Sequence, residues 1–461
     1  MRIQHFLVTA ALAAAVPAQS WAQLSLLTTF PTVRRSGAAA FEVSGNRLIF
    51  LGGVSPTPSV ILPETWRFNG TWQLLAPPGG TTGRWGHQLV QNTVNNRLLA
   101  FGGRSPTISG FANDTIEWTG TAWVNVPSPT APSPRYLYGM VFDSRRARFV
   151  LVGGRTATQT LGDVWEFDGA AWTQRTFAVT PSPRAEMAMA YDPVLGQTIL
   201  FGGIDNDTNT VLGDTWFYDG ATWVAQTPAA SPDPRYRAAS AYDSVRKRMV
   251  LFGGFDGAAI RNDTHEFTGE TWTAITTGPT VPAATTETLH GYDPVRRKFV
   301  LFGGFGTSGF SSQTWEYTGA TTGLFSRFGS GCATSAGEPT IESNIPRIGQ
   351  NWDLTFNSLP LDMEFVLVAL GLSNQSFGAV PLPFDLGLIG LGGCNLLVSA
   401  DVVNVVDATL IPGTALHTLA IPNNTALVNA VVFAQGILFD LVLPDFFFIG
   451  TTKGGRAVVG S

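Results

Sequence analysis

Charge is scarce in this chain of 461 residues: only 13% of side chains are Asp, Glu, Lys or Arg, about half the usual share. That scarcity excludes a coiled coil and a disordered acidic or basic tail protein. The net charge is −5 and no basic stripe runs along the sequence, which excludes nucleic acid as the main partner. Cysteine is nearly absent, with Cys332 and Cys394 alone, so a Cys-x-x-Cys redox pair or a thiolate zinc site is excluded by count. No long apolar run survives uninterrupted. The best candidate, Val428 to Ile449, is broken by Asp440, Pro444 and Asp445 and reads as two core strands rather than a membrane span. No Gly-x-Ser-x-Gly, P-loop or His-Glu-x-x-His motif occurs.

Glycine (51), proline (29) and aromatics (11%) are plentiful instead, which suits many short strands joined by tight turns. The length exceeds one ordinary core and points to more than one domain.

The first residues read as an export signal, residues 1–22. Arg2 supplies the positive start, Phe6 to Ala18 the apolar stretch, and Ser20-Trp21-Ala22 a small-x-small cleavage site before Gln23. The mature chain is therefore expected outside the cytoplasm: extracellular, periplasmic or on the cell surface. In that compartment Cys332 and Cys394 are expected to form a disulfide, worth about 4 kcal/mol on the loop-entropy argument.

Internal repetition dominates the sequence. A Gly-Gly pair follows an apolar run at Gly52, Gly102, Gly153, Gly202, Gly253 and Gly303, with steps of 50, 51, 49, 51 and 50 residues. Each unit carries four short segments rich in β-branched and aromatic residues. In one unit they are Arg135 to Asp143, Arg148 to Gly154, Asp163 to Asp168 and Ala171 to Gln174. Asp-Ser or Asp-Pro turns join the first two segments and Asp-Gly or Thr-Gly turns the last two. Four strands in fifty residues make one blade of a β-propeller, which buries its flanks only against neighbouring blades. Trp72, Trp123, Trp172, Trp223 and Trp272 recur in the outer strand and are expected in the wedges between blades. The sixth unit has Thr322 where that tryptophan should stand. An N-terminal strand, residues 23–29, is therefore expected to complete the last blade and remove its exposed edge.

The order Gly-Gly, polar loop, Asp-x-Trp and Gly-x-x-Trp resembles the kelch repeat, including the kelch-like propeller of galactose oxidase. Six copies span residues 23–327. The resemblance implies an all-β fold: a six-bladed kelch-type propeller. A copper-radical oxidase is disfavoured, because the galactose oxidase chemistry needs a cysteine joined to tyrosine and two histidine ligands. This propeller has no cysteine, and His87, His265 and His290 fall in different strands. His265 replaces a tryptophan of the repeat and reads as a packed imidazole.

Arg35, Arg84, Arg135, Arg184 and Arg235 open the first strand of five units, and Glu64, Asp114, Asp163, Asp214 and Asp263 open the third. Strand alternation puts both starts on one face, two strand spacings apart, within reach of an extended arginine. The sixth unit has Ala284 and Gln313 instead, so arginine and acid vanish together. Joint loss is what structural ion pairs predict; an arginine-lined ligand mouth is the competing reading. All long loops lie on that same face. Among their residues Arg104, Arg155, Asp205, Asp207 and Asp256 are the candidate ligand contacts. Asp205 and Asp207 alternate like the start of a calcium loop, without its later glycine and glutamate; calcium aside, no cofactor or metal is expected.

Beyond residue 328 the repeat stops and the local charge falls from about +1 over residues 23–327 to −7. Strand-like segments separated by Asn, Pro and Gly turns indicate a small β-sandwich, residues 328–461, resembling a module at the C-termini of exported bacterial proteins. The functional expectation is an exported, non-catalytic protein that binds a protein or carbohydrate on the loop face. A glycan-active enzyme and an architectural surface component are the alternatives.

Overall fold

A computed structural model describes residues 19–458, apart from 26, 28, 57–59, 76–82, 106–109, 321–323, 329–338, 345, 360–364, 378–379, 383, 386–394, 398–400, 408–413, 428–430, 441–446 and 453. Residues 1–18 and both cysteines lie outside the described residues, and so does the expected disulfide. No helix among the described residues is long and apolar enough to cross a membrane.

Six four-stranded antiparallel sheets stand in succession as the blades of a kelch-type propeller. In blade three the strands are Gly139–Asp143, Arg148–Arg155, Thr160–Phe167 and Trp172–Arg175. The second strand of each blade is apolar on both sides, because neighbouring blades cover both of its faces; Phe149, Val150, Leu151 and Val152 are all buried. The turn after the innermost strand is held by an aspartate in blades three to six and by Asn92 in blade two. Asp143 accepts the N–H groups of Arg145 (3.0 Å) and Arg146 (3.1 Å), and Asp192 those of Val194 (2.9 Å) and Leu195 (3.1 Å).

Blade six takes its outer strand from the N-terminus, but not from residues 23–29. Ser20–Gln23 pairs with Thr314–Thr318, Trp21 opposite Tyr317. Trp21 is the missing sixth wedge tryptophan. Its indole is 3% exposed and packs on Phe252, Phe299 and Tyr317 at ring distances of 4.8, 6.2 and 5.1 Å. Its Nε1–H donates to Thr264 Oγ1 at 2.9 Å, just as Trp72, Trp123, Trp172 and Trp272 donate to Thr314, Thr65, Thr115 and Thr215 at 3.0, 2.9, 2.9 and 3.1 Å. Only Trp223 lacks such a partner, because Val164 stands where the other blades have threonine. The closing strand is therefore Ser20–Gln23 rather than residues 23–29, and cleavage before Gln23 would remove a core residue.

The propeller ends earlier than residue 327. Leu324–Phe328 pairs with Gly454–Val458 and is the first strand of the C-terminal unit. There a six-stranded sheet, containing Phe365–Gly371 and Val431–Asp440, faces a three-stranded sheet of Thr340–Ser343, Asn351–Asn357 and Ala415–Ala420. Ile341, Trp352, Leu354, Phe356, Val366 and Val368 fill the space between them, a β-sandwich core. The sandwich sits on the tight-turn face of the propeller. Arg456 is fully buried there; its Nη1 meets Asp192 Oδ2 at 2.7 Å and its Nη2 donates to the Thr268 carbonyl at 2.7 Å.

Candidate functional site

The opposite, loop-bearing face is built on a repeated arginine anchor. In blades two to five the first-strand arginine lies flat and buried, 1–2% exposed. Arg135 donates from Nη1 to the Gly153 carbonyl (3.0 Å) and Asp163 Oδ1 (2.6 Å), and from Nη2 to Asp163 Oδ2 (2.8 Å). Arg84, Arg184 and Arg235 repeat this with Gly102, Gly202 and Gly253 and with Asp114, Asp214 and Asp263. The acid's second task is to accept the N–H of the aromatic residue two positions on: Trp165 for Asp163 and Trp216 for Asp214, with the His265 ring nitrogen 2.8 Å from Asp263. Partial burial raises the carboxyl pKa of Asp163, but Arg135 and Trp165 outweigh it and hold this acid below its ordinary value.

Blade one uses a different residue from the one its spacing indicated. Arg34, not Arg35, pairs with Glu64 and donates to the Gly52 carbonyl at 3.0 Å. The two arginines are adjacent, and the backbone contact that fixes the register, Gly304 N–H to the Arg34 carbonyl (2.9 Å), settles which one is the anchor. By that contact the sixth-blade counterpart is Thr285, whose carbonyl takes the Gly254 N–H, and not Ala284.

Two residues after each anchor the chain enters the left-handed region. Ser36, Gly86, Leu137, Glu186, Arg237 and Glu287 have φ between 56° and 67°. Each donates its N–H to the carbonyl of its counterpart in a neighbouring blade, and the six bonds (2.6–3.3 Å) close a circle around the propeller axis. Arg237 bridges the Glu186 and Glu287 carboxylates across this mouth, and Arg35 reaches Glu287 Oε1 at 3.1 Å. Burial raises the Glu186 pKa above the ordinary range despite Arg237. Below the mouth lies a cavity of about 110 Å³ lined by His87, Met140, Met187, Met189, Ser240 and His290. Burial, and Arg84 secondarily, push His87 well below its ordinary value, so its ring is neutral.

Outside the mouth, between blades one and two, runs a groove of about 470 Å³ lined by Arg35, Ser36, Val54, Ile61, Trp85 and Arg104. Arg104 is exposed and its guanidinium lies 5.9 Å from the rings of both Trp85 and Phe111. Trp85 in turn meets Tyr136 edge-on at 5.4 Å, and Phe111 stacks on Tyr136 at 4.9 Å. Among the described residues no carboxylate pairs with Arg104.

The other candidate contacts are already engaged, Asp205 and Asp256 within their own loops and Arg155 and Asp207 across to the loop of the neighbouring blade. Arg155 donates to Asn206 Oδ1 at 3.1 Å. Asp205 accepts the Asp207 N–H (3.0 Å) and the Thr208 hydroxyl (2.8 Å), while Asp207 turns to the Thr160 N–H (3.0 Å). The two carboxylates thus serve different segments. Asp256 accepts the Ala258 and Ala259 N–H groups and Arg261 Nε, and these bonds lower its pKa. Among the described residues no group of three or more His, Cys, Asp or Glu side chains is placed to hold a metal.

Trp85, Glu186, Arg237 and Glu287 were not foreseen as site residues. What they share is an offset of one or two residues from the anchor, which only the repeat alignment exposes.

No curated protein matches this chain. Residues 38–227 match the model of the KLHDC2/KLHL20/DRC7 Kelch-repeats domain, so blades one to four carry a kelch signature and the six-sheet ring around them is a kelch-type β-propeller.

Proposed function

We propose that this chain is a non-catalytic binding protein whose loop face engages a protein partner, with the groove of Arg35, Trp85 and Arg104 as the contact. The observation that carries this reading is Arg104: an exposed guanidinium backed by two aromatic rings and not neutralised by a neighbouring carboxylate among the described residues. Such a group is ready for a partner at low desolvation cost. The enzyme alternative draws less support. The carboxylates nearest the axis, Glu186 and Glu287, are both bonded to arginine, which leaves neither poised for proton exchange with a ligand.

The test is a peptide and glycan array probed with the purified chain and with Trp85→Ala/Arg104→Ala. Peptide signals lost in the double variant support the proposal. Signals confined to glycans would move the ligand to carbohydrate, and identical profiles for the two proteins would refute the groove. The reading includes export, with residues 1–18 as the signal and processing upstream of Ser20; the N-terminal sequence of the secreted protein tests that part.

A further inference from the structure

Blade six lacks the arginine anchor, and the space the anchor fills elsewhere is open. A cavity of about 230 Å³ is lined by Thr285, Gly303, Gln313 and Trp315. These are the counterparts, residue for residue, of Arg135, Gly153, Asp163 and Trp165 in blade three. In the other five blades this frame holds a guanidinium against the glycine carbonyl at 2.9–3.1 Å and against the acid.

In blade six the Thr285 hydroxyl bonds back to the Ala283 carbonyl at 2.6 Å. No side chain among the described residues donates to the Gly303 carbonyl. Gln313 Oε1 accepts the Trp315 indole N–H at 2.9 Å, as the acids do, and has a second lone pair left for another donor. The socket therefore keeps its acceptors and its aromatic wall while lacking the group that normally occupies it. It opens toward the loop face past Ser308 and Ser312, both exposed.

We infer that this socket takes an arginine side chain presented by a partner protein, seated as the chain's own arginines are seated in the other blades. The chemistry selects guanidinium. Its planar, weakly hydrated fork matches the frame that seats Arg135 against Gly153 and Asp163, whereas a lysine ammonium is a compact, strongly hydrated group without that fixed fork. The socket is uncharged, so a free arginine binds it weakly and the partner's remaining contacts supply the rest. The inference does not depend on the groove between blades one and two, which lies on other blades.

The experiment uses the full chain and N-acetyl-L-argininamide as probe, followed by saturation-transfer NMR and by titration of tryptophan fluorescence. Binding to the native chain is expected, with the lysine analogue at least tenfold weaker. Gln313→Asp restores the carboxylate and should tighten the arginine probe roughly tenfold or more. Thr285→Arg fills the socket from within and should abolish binding. Arg104→Ala should leave probe binding unchanged, which separates this site from the groove. Absence of probe binding to the native chain, equal binding of the lysine analogue, or no gain in Gln313→Asp would each overturn the inference. Because Gln313→Asp needs no repacking, the test stands even if Thr285→Arg folds poorly.

Discussion

Moving the first residue by four positions should change the stability of the whole propeller. A chain starting at Gln19 keeps the strand Ser20–Gln23 and the Trp21 wedge; one starting at Gln23 loses both. Removing a buried tryptophan costs about 3–5 kcal/mol. The Trp21 Nε1–H bond to Thr264 and the strand's ladder bonds add roughly 1 kcal/mol each at most, since water replaces part of them. The lost total is about 5 kcal/mol. With an unfolding entropy of about 2 cal/mol/K per residue over roughly 300 propeller residues, that lowers Tm by about 8 °C. The open edge left on Thr314–Thr318 should also promote association. Differential scanning calorimetry of the two chains, with light scattering, reads both effects. Trp21→Ala in the longer chain should account for most of the shift. Equal Tm values, within 2 °C, would show that ring closure through this strand contributes nothing.

Four further outcomes are expected. Asp163→Asn leaves the Arg135 guanidinium buried without its counter-charge and should cost about 2–4 kcal/mol, read from urea midpoints; the Gly153 carbonyl and partial solvent access to residue 163 keep it below the full burial penalty. The Asp163 and Asp214 carboxyls are held below their unfolded values, so their stabilisation is complete above about pH 4 and is lost as pH falls through the lower folded values. Urea midpoints should therefore drop below pH 4, and less so in Asp163→Asn. Val164→Thr gives Trp223 the hydroxyl partner that its counterparts have and should raise stability by up to about 1 kcal/mol in the same assay, the new hydrogen bond outweighing the lost methyl. Arg456→Ala strands Asp192 at the seam between the two domains and should speed limited proteolysis of the C-terminal sandwich while leaving the propeller fragment intact.

How much of this was legible from sequence depends on whether a feature repeats. Five wedge tryptophans could be read because each recurs at a fixed offset from Gly-Gly. Trp21 escaped because it lies outside that frame and is flanked by Ser20 and Ala22, which fit a cleavage pattern equally well. Spacing points to Arg35 as the blade-one anchor because Arg34 and Arg35 are adjacent, and only the Arg34 carbonyl contact with Gly304 separates them. The axial circle left no trace in residue type. Serine, glycine, leucine, glutamate and arginine fill its six positions, since what they share is a backbone conformation. The seating of the sandwich was equally hidden. Arg456 is one arginine among three basic residues of that region, and nothing local links it to Asp192.

The six backbone bonds around the axis all run in the same rotational sense, so the circle has neither a first member nor a last. Peptide groups close it in all six blades, the Arg237 ion pairs to Glu186 and Glu287 reinforce one side, and residues that tolerate a left-handed backbone can be exchanged at the mouth without opening the ring. The rim therefore stays sealed by backbone while the side chains displayed at the mouth differ from blade to blade.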